Sequence, residues 1–143
     1  MTSRDRIERS VLIAAPVERV WAIVTRAEHL AAWFSETAEV DLRPGGALTL
    51  GWKEHGTYAC TVERVEPPTT FAWRGPIAPD RPGDTTLVEF TLAPEGAGTR
   101  LTVVETGFAA LGMSEAEQDH HREDNVDGWK IKTEELRAYA ERR

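Results

Sequence analysis

From residue 36 to residue 106 the apolar positions of this chain recur at every second residue. From residue 114 onward they recur at every third and fourth. A period of two marks half-buried strands, and a period near 3.6 marks an amphipathic helix. One long amphipathic helix cannot bury its stripe alone, whereas a curved antiparallel sheet can wrap it. This succession constrains the fold more than any other feature.

The period-two region divides into strands at 37–43, 47–54, 57–66, 69–75, 85–93 and 99–106. Pro44-Gly45-Gly46, His55-Gly56, Pro67-Pro68 and Glu95-Gly96-Ala97-Gly98 supply turns between them, and three prolines make 76–84 a loop. Links this short predict an antiparallel meander. Ahead of it, 7–14 reads as a strand with Ile7, Val11 and Ile13 on one face. Pro16 then opens a helix over 16–25 with apolar Val17, Val20, Trp21 and Val24. A second short helix over 27–34 carries Leu30, Trp33 and Phe34.

The final helix begins with Ser114 and Glu117, the spacing of a capping box. Its stripe is Arg122, Val126, Trp129, Thr133, Leu136 and Ala140. At 1.5 Å per residue it runs roughly 40 Å. Ser114–Asp127 holds six acids and one base, and Gly128–Arg143 five bases and three acids, which suits the helix dipole. The predicted class is α+β: a helix-grip arrangement of about seven strands around the C-terminal helix, with two short helices between strands 1 and 2. Residues 1–143 are read as one domain, since 143 residues is an ordinary single-domain length. Where sheet and helix diverge, a gap suits an apolar ligand.

Composition excludes several functions. A net charge of −7 offers no footprint for nucleic acid or anionic membrane. No apolar run approaches the roughly 20 residues of a membrane span. Residues 1–6 hold no apolar signal core, so a cytoplasmic location is expected. The single cysteine, Cys60, rules out an intramolecular disulfide and a multi-cysteine zinc site. No phosphate loop or nucleophile elbow is present. Five Trp beside three Lys indicate a large aromatic core or a ring-lined pocket.

Trp21 and Trp129 fall on helix stripes and are read as packing, while Trp33, Trp52 and Trp73 are divided between core and pocket. His55 and Tyr58 lie around a hairpin turn, where a histidine is an acid–base candidate or simply solvated. Glu117/His121 and His120/Asp124 are i,i+4 pairs pointing in different directions, and they read as a solvated face rather than a metal site. His121 at the cavity mouth is a separate candidate. Cys60 defaults to a small buried hydrophobe, and Glu105, ending a strand, either reaches the gap or caps a turn.

The order of these motifs resembles the SRPBCC, or START-like, superfamily. Within it the chain looks like the branch named for the activator of the heat-shock protein 90 ATPase. The likeness rests on Ile13-Ala14-Ala15-Pro16-Val17-Glu18-Arg19-Val20-Trp21 and on Leu30-Ala31-Ala32-Trp33-Phe34 with Pro44-Gly45-Gly46. It continues in Val62-Glu63-Arg64-Val65-Glu66-Pro67-Pro68 with Phe71-Ala72-Trp73. It ends in Gly98-Thr99-Arg100-Leu101, Glu105-Thr106-Gly107-Phe108 and Gly128-Trp129. It covers about residues 7–140. Cys60 departs from it, standing where the branch often has Gly.

The resemblance implies a domain that binds an apolar or amphipathic small molecule between sheet and helix, without catalysis, cofactor or metal. The expected ligand-binding residues are Trp33, Trp52, Tyr58, Cys60, Trp73, Phe90, Phe108 and His121. One alternative is an enzyme of the cyclase, hydratase or hydrolase kind, with His55, Tyr58, Glu105 and His121 as catalytic candidates. Another, ranked last, is a stress-response role as a co-chaperone-like, protein-binding domain. A homodimer is admitted among the partners.

Overall fold

A computed structural model describes residues 5–142. The reading of residues 1–4 as lacking a signal core lies outside the described residues. In chain order the elements are β1 (Arg6–Ile13), α1 (Val17–Thr25), α2 (Ala27–Trp33), β2 (Thr37–Val40), β3 (Ala47–Trp52) and β4 (Gly56–Glu66). β5 (Thr70–Pro76), β6 (Thr85–Glu95), β7 (Gly98–Thr106) and α3 (Glu115–Glu141) follow, with a 3-10 turn at Phe108–Ala110 before α3.

The strands form one seven-stranded antiparallel sheet in the order β1-β7-β6-β5-β4-β3-β2. The short links make each strand from β2 to β7 pair with its neighbour in sequence. β1, separated from β2 by two helices, closes instead on β7, with Ile7 opposite Glu105 and Ile13 opposite Thr99. This is the helix-grip arrangement that the periodicity predicts.

Most boundaries shift by one or two residues from the sequence reading, two shifts matter to the site, and a 3-10 turn is added. β2 ends at Val40 rather than 43, because the turn recruits residues 41–46: the Asp41 amide donates to Ala47 O at 2.9 Å, and Gly45 N to Val62 O at 2.8 Å. α2 stops at Trp33, leaving Phe34 as its cap. The 3-10 turn has no apolar period to announce it. Gly107 makes it reachable, since its φ of 110° lies in the left-handed region that favours glycine.

The α3 capping box forms as the spacing predicts. Glu117 N donates to Ser114 Oγ at 3.2 Å, and Ser114 N donates to Glu117 Oε1 at 3.1 Å. The C-terminal half of α3 is then seated: Trp129, Thr133, Leu136 and Ala140 are buried. Arg9 Nε donates to Thr133 Oγ1 at 2.7 Å, and Arg19 Nε to Ala140 O at 2.8 Å, tying this half to β1 and α1. Arg122 and Val126, on the same stripe two turns and one turn before Trp129, are only half-buried. The helix therefore runs along β1, from Arg122 Nε on Arg6 O at 3.0 Å to Glu141 on Ala14 N at 2.9 Å, and is buried most deeply in its C-terminal half.

The core lies beside the buried C-terminal half of α3. Ile13, Val20, Ile23, Val24, Phe71, Phe90, Leu101 and Leu136 have almost no exposed surface. Burying each of these side chains favours the fold by about 1.5–3 kcal/mol. Trp21 packs edge-on against Phe71, ring centres 6.4 Å apart. Among the described residues, no helix is long and apolar enough to cross a membrane.

Candidate functional site

A cavity of about 380 Å³ opens between the middle of α3 and the sheet. Strand alternation decides which side chains see it. Leu50 and Trp52 of β3, Tyr58 and Cys60 of β4, Trp73 and Gly75 of β5, Thr86 and Val88 of β6, and Glu105 of β7 share that face. From α3 come Asn125, Gly128, Trp129 and Lys132, three, one and three residues apart and so on one side of the helix.

Five rings stand in the wall (Phe34, Trp52, Tyr58, Trp73 and Trp129), and Phe34 is their hub. Its ring stacks on Trp129 (5.7 Å, 11°) and meets Trp52 edge-on at 5.6 Å. It is tilted against Trp73 at 6.2 Å and Trp33 at 5.0 Å. Ending α2 one residue early produces this: Trp33 turns into the core, its Nε1 donating to Ile23 O at 2.9 Å, while Phe34 turns towards the cavity. Tyr58 closes the cluster edge-on to Trp52 at 5.4 Å.

One buried carboxyl group is set into this wall. Glu105 is only 4% exposed, and three neutral groups donate to its carboxylate. Trp129 Nε1 reaches Oε1 at 2.8 Å, and Thr86 Oγ1 reaches Oε2 at 2.6 Å. Asn125 Nδ2 bridges both oxygens at 3.1 and 3.2 Å. No cation contacts it among the described residues. Burial pushes its pKa up from the ordinary carboxylate value, and the three donors pull the other way. Trp and amide N–H groups can only donate, so these partners hold the two oxygens as acceptors against the effect of burial.

The other titratable groups are less engaged. Burial pushes the Cys60 thiol up to about 12, so at neutral pH it is not a thiolate nucleophile. It faces Gly75 so closely that a Cβ there would lie 2.6 Å from its Sγ. The Tyr58 phenol is raised by burial, then by Asp80 and Cys60, and among the described residues its hydroxyl has no hydrogen bond. His55 is exposed on the β3–β4 turn and borders the cavity mouth. Lys132, also on the wall, pairs with Glu135 at 2.9 Å.

A second, more polar cleft of about 460 Å³ lies beyond Phe34, Trp52 and Lys132, which border both spaces. Ser35, Glu36, Glu135 and Arg142 line it.

The structure thus brings Trp52, His55, Tyr58, Cys60, Trp73 and Glu105 to one volume. Four of the expected ligand-binding residues stand outside it. Trp33 borders only the second cleft, because its indole is tied into the core. Phe90 is core, covered edge-on by Trp129 at 5.8 Å, and Phe108 is fully buried in the 3-10 turn. His121 is half-buried on α3 away from the wall, and His120 pairs with Asp124 at 3.3 Å on an exposed face. No group of three or more His, Cys, Asp and Glu suited to a metal occurs among the described residues.

Trp129, read as packing alone, both packs and lines the cavity. Sequence reasoning also passed over Phe34, Thr86, Gly75, Asn125, Gly128 and Lys132 as site residues. A mid-helix glycine was the available signal for one of them, since Gly128 next to a stripe residue costs helix stability without a local reason.

Residues 14–141 match the family described as Activator of Hsp90 ATPase homolog 1-like protein. No curated protein is significantly similar to the chain. Among solved structures, Bacillus halodurans protein BH1534 is similar at 28% identity and a TM-score of 0.76, over 96% of this chain and 99% of that one. The Aha1 dimer from Colwellia psychrerythraea shares the fold at 17% identity and a TM-score of 0.77, over 95% and 96%. DynU16, a putative protein in the dynemicin biosynthetic locus, shares it at 24% identity and a TM-score of 0.77, over 94% of this chain. This chain spans only 46% of DynU16. The family match runs from the end of β1 to the last residue of α3 and so contains every wall of the cavity; the chain belongs to the Activator of Hsp90 ATPase homolog 1-like family of the SRPBCC superfamily.

Proposed function

We propose that this chain binds an apolar or amphipathic small molecule in the cavity between α3 and the sheet, without transforming it. The observation that carries this reading is a 380 Å³ space walled by Phe34, Trp52, Trp73 and Trp129. That volume lies in the range of ligand sites, and a mainly apolar wall with few polar groups is their usual build. The chemistry on the wall favours holding over reacting. The thiol is protonated, the histidine lies out on a turn, and Glu105 is held by three donors. A structural neighbour from a biosynthetic locus accords with a small-molecule ligand.

A second reading has one observation in its favour. The Tyr58 hydroxyl and the Glu105 carboxylate border the same volume, which is where acid–base catalysis of a cyclase, hydratase or hydrolase kind would need them. A co-chaperone role rests on the family description alone.

Thermal-shift screening against lipids, polyketides and aromatic metabolites, followed by calorimetric titration of the hits, tests the binding reading. A hit should quench Trp fluorescence and lose affinity in Trp73→Ala. Turnover of a bound hit, seen by mass spectrometry and lost in Glu105→Gln, would move the assignment to the enzyme. A broad panel without any shift would overturn both.

A further inference from the structure

The cavity and the second cleft meet at Phe34, Trp52 and Lys132. Both also lie along one side of α3. Asn125, Gly128, Trp129 and Lys132 line the first, and Lys132, Glu135, Tyr139 and Arg142 the second, at helical spacings of three and four. At 1.5 Å per residue, the two stretches of helix are centred about 13 Å apart.

The two spaces differ in chemistry. Rings stand in the cavity wall, whereas the cleft is lined by Glu36, Glu135, Lys132 and Arg142, two charges of each sign, with Ser35 beside them. Lys132 pairs with Glu135 at 2.9 Å. The far wall is fixed in place: the Tyr139 hydroxyl and His29 Nδ1 are 2.7 Å apart, and the Arg142 guanidinium lies over the Tyr139 ring, 5.7 Å from its centre. A charged group of either sign entering this cleft would meet a like charge. A hydroxyl both donates and accepts, so a cluster of hydroxyls can serve carboxylates and cationic donors on the same wall.

We propose that the second cleft is the head-group subsite of the same ligand. That ligand is an elongated amphipath: its apolar ring system fills the cavity, and its uncharged, polyhydroxylated end passes Phe34 and Lys132 into the cleft. This rests on the cavity being the ligand site and adds where the polar end lies and of what kind it is.

Three probes share one ring system: 2-naphthol, 2-naphthyl β-D-glucopyranoside and 2-naphthyl β-D-glucuronide. Each is titrated calorimetrically at pH 7 into the full chain and into the double variant Ala32→Leu/Ala138→Leu, which narrows the cleft from α2 and α3. The glucoside should bind the native chain about tenfold more tightly than naphthol, the scale of one or two net hydrogen bonds, and more tightly than the glucuronide. In the double variant the glucoside should fall to within about twofold of naphthol, while naphthol keeps its affinity. Both alanines are exposed and leucine is a good helix former; should the double variant fail to fold, either single variant makes the same comparison. A native advantage below about threefold, or one that survives in the variant, overturns the subsite and leaves the cavity reading intact. A glucuronide that binds as tightly as the glucoside overturns the uncharged head group. If none of the three binds, hits from the wider panel replace them, and unchanged affinity of every hit in the double variant overturns the subsite alone. An empty panel overturns both readings.

Discussion

The indole N–H of Trp129 donates to the Glu105 carboxylate at 2.8 Å, joining the middle of α3 to the end of β7 across 24 residues of chain. The same indole stacks on Phe34 and covers Phe90 edge-on. One side chain therefore closes the core, satisfies a buried charge and forms a cavity wall. The residues before it on the stripe are only half-buried.

Trp129→Phe keeps most of the ring and removes the donor. Glu105 then stays buried with one partner fewer, and hydrogen bonds to charged groups contribute about 1.5–3 kcal/mol each. Urea unfolding should show a loss of that order at pH 7. The loss should shrink in acid, where a protonated carboxyl depends less on the donor. A loss that is the same at both pH values would assign the effect to packing.

Glu105 should leave a signature in the pH dependence of stability. Its folded pKa is raised above the ordinary value of 4.5, mainly by burial. Between those two values the folded state binds more protons than the unfolded state. This contribution is therefore full below the unfolded value and is lost as pH rises through the folded one. Glu105→Gln does not titrate there. Stability of the native chain relative to the variant should decline from about pH 4.5 upward and then level off. A flat difference across urea titrations in this range would show that the carboxyl does not carry the shift.

Gly128 lies on the cavity side of α3, and a Cβ there would meet nothing within 4 Å. Glycine inside a helix costs about 0.5–1 kcal/mol relative to alanine. Gly128→Ala should raise the melting temperature while weakening cavity ligands, because the new methyl occupies their space. Tighter binding by the variant would remove Gly128 from the wall.

Cys60 and Gly75 are fitted to each other across β4 and β5. Gly75→Ala would set its Cβ 2.6 Å from the Cys60 sulfur, and overpacking of this kind costs about 1–3 kcal/mol. Adding Cys60→Ala removes the sulfur and should recover most of the loss. In a double-mutant cycle by urea unfolding, a coupling below about 0.5 kcal/mol would show that the strands shift to absorb the methyl instead.

The elements were legible in the sequence because their causes are local. Ser114 and Glu117 mark the start of α3 by spacing alone, and the box forms. Val20 and Val24 mark the buried side of α1, and Ile7, Val11 and Ile13 that of β1. The turn glycines and prolines divide the meander, and short links leave few pairings for its strands. Trp52, Tyr58, Cys60 and Trp73 could be placed on the cavity side, since alternation needs only one correct strand phase.

What lay beyond local pattern was which inward residues reach empty space and which reach core. Phe90 and Val88 share a face of β6, yet Trp129 covers Phe90 and Val88 borders the cavity. Trp33 and Phe34 are neighbours, and a helix end between them sends one into the core and the other to the hub of the rings. Glu105 read equally well as a turn cap, and its three donors come from β6 and from two positions of α3. Periodicity records which side of an element faces inward, a property of a few neighbouring residues. The cavity, its buried carboxyl and its aromatic rings depend instead on how α3 is seated across the sheet, through contacts between residues more than a hundred positions apart, such as Arg9 with Thr133 and Arg19 with Ala140.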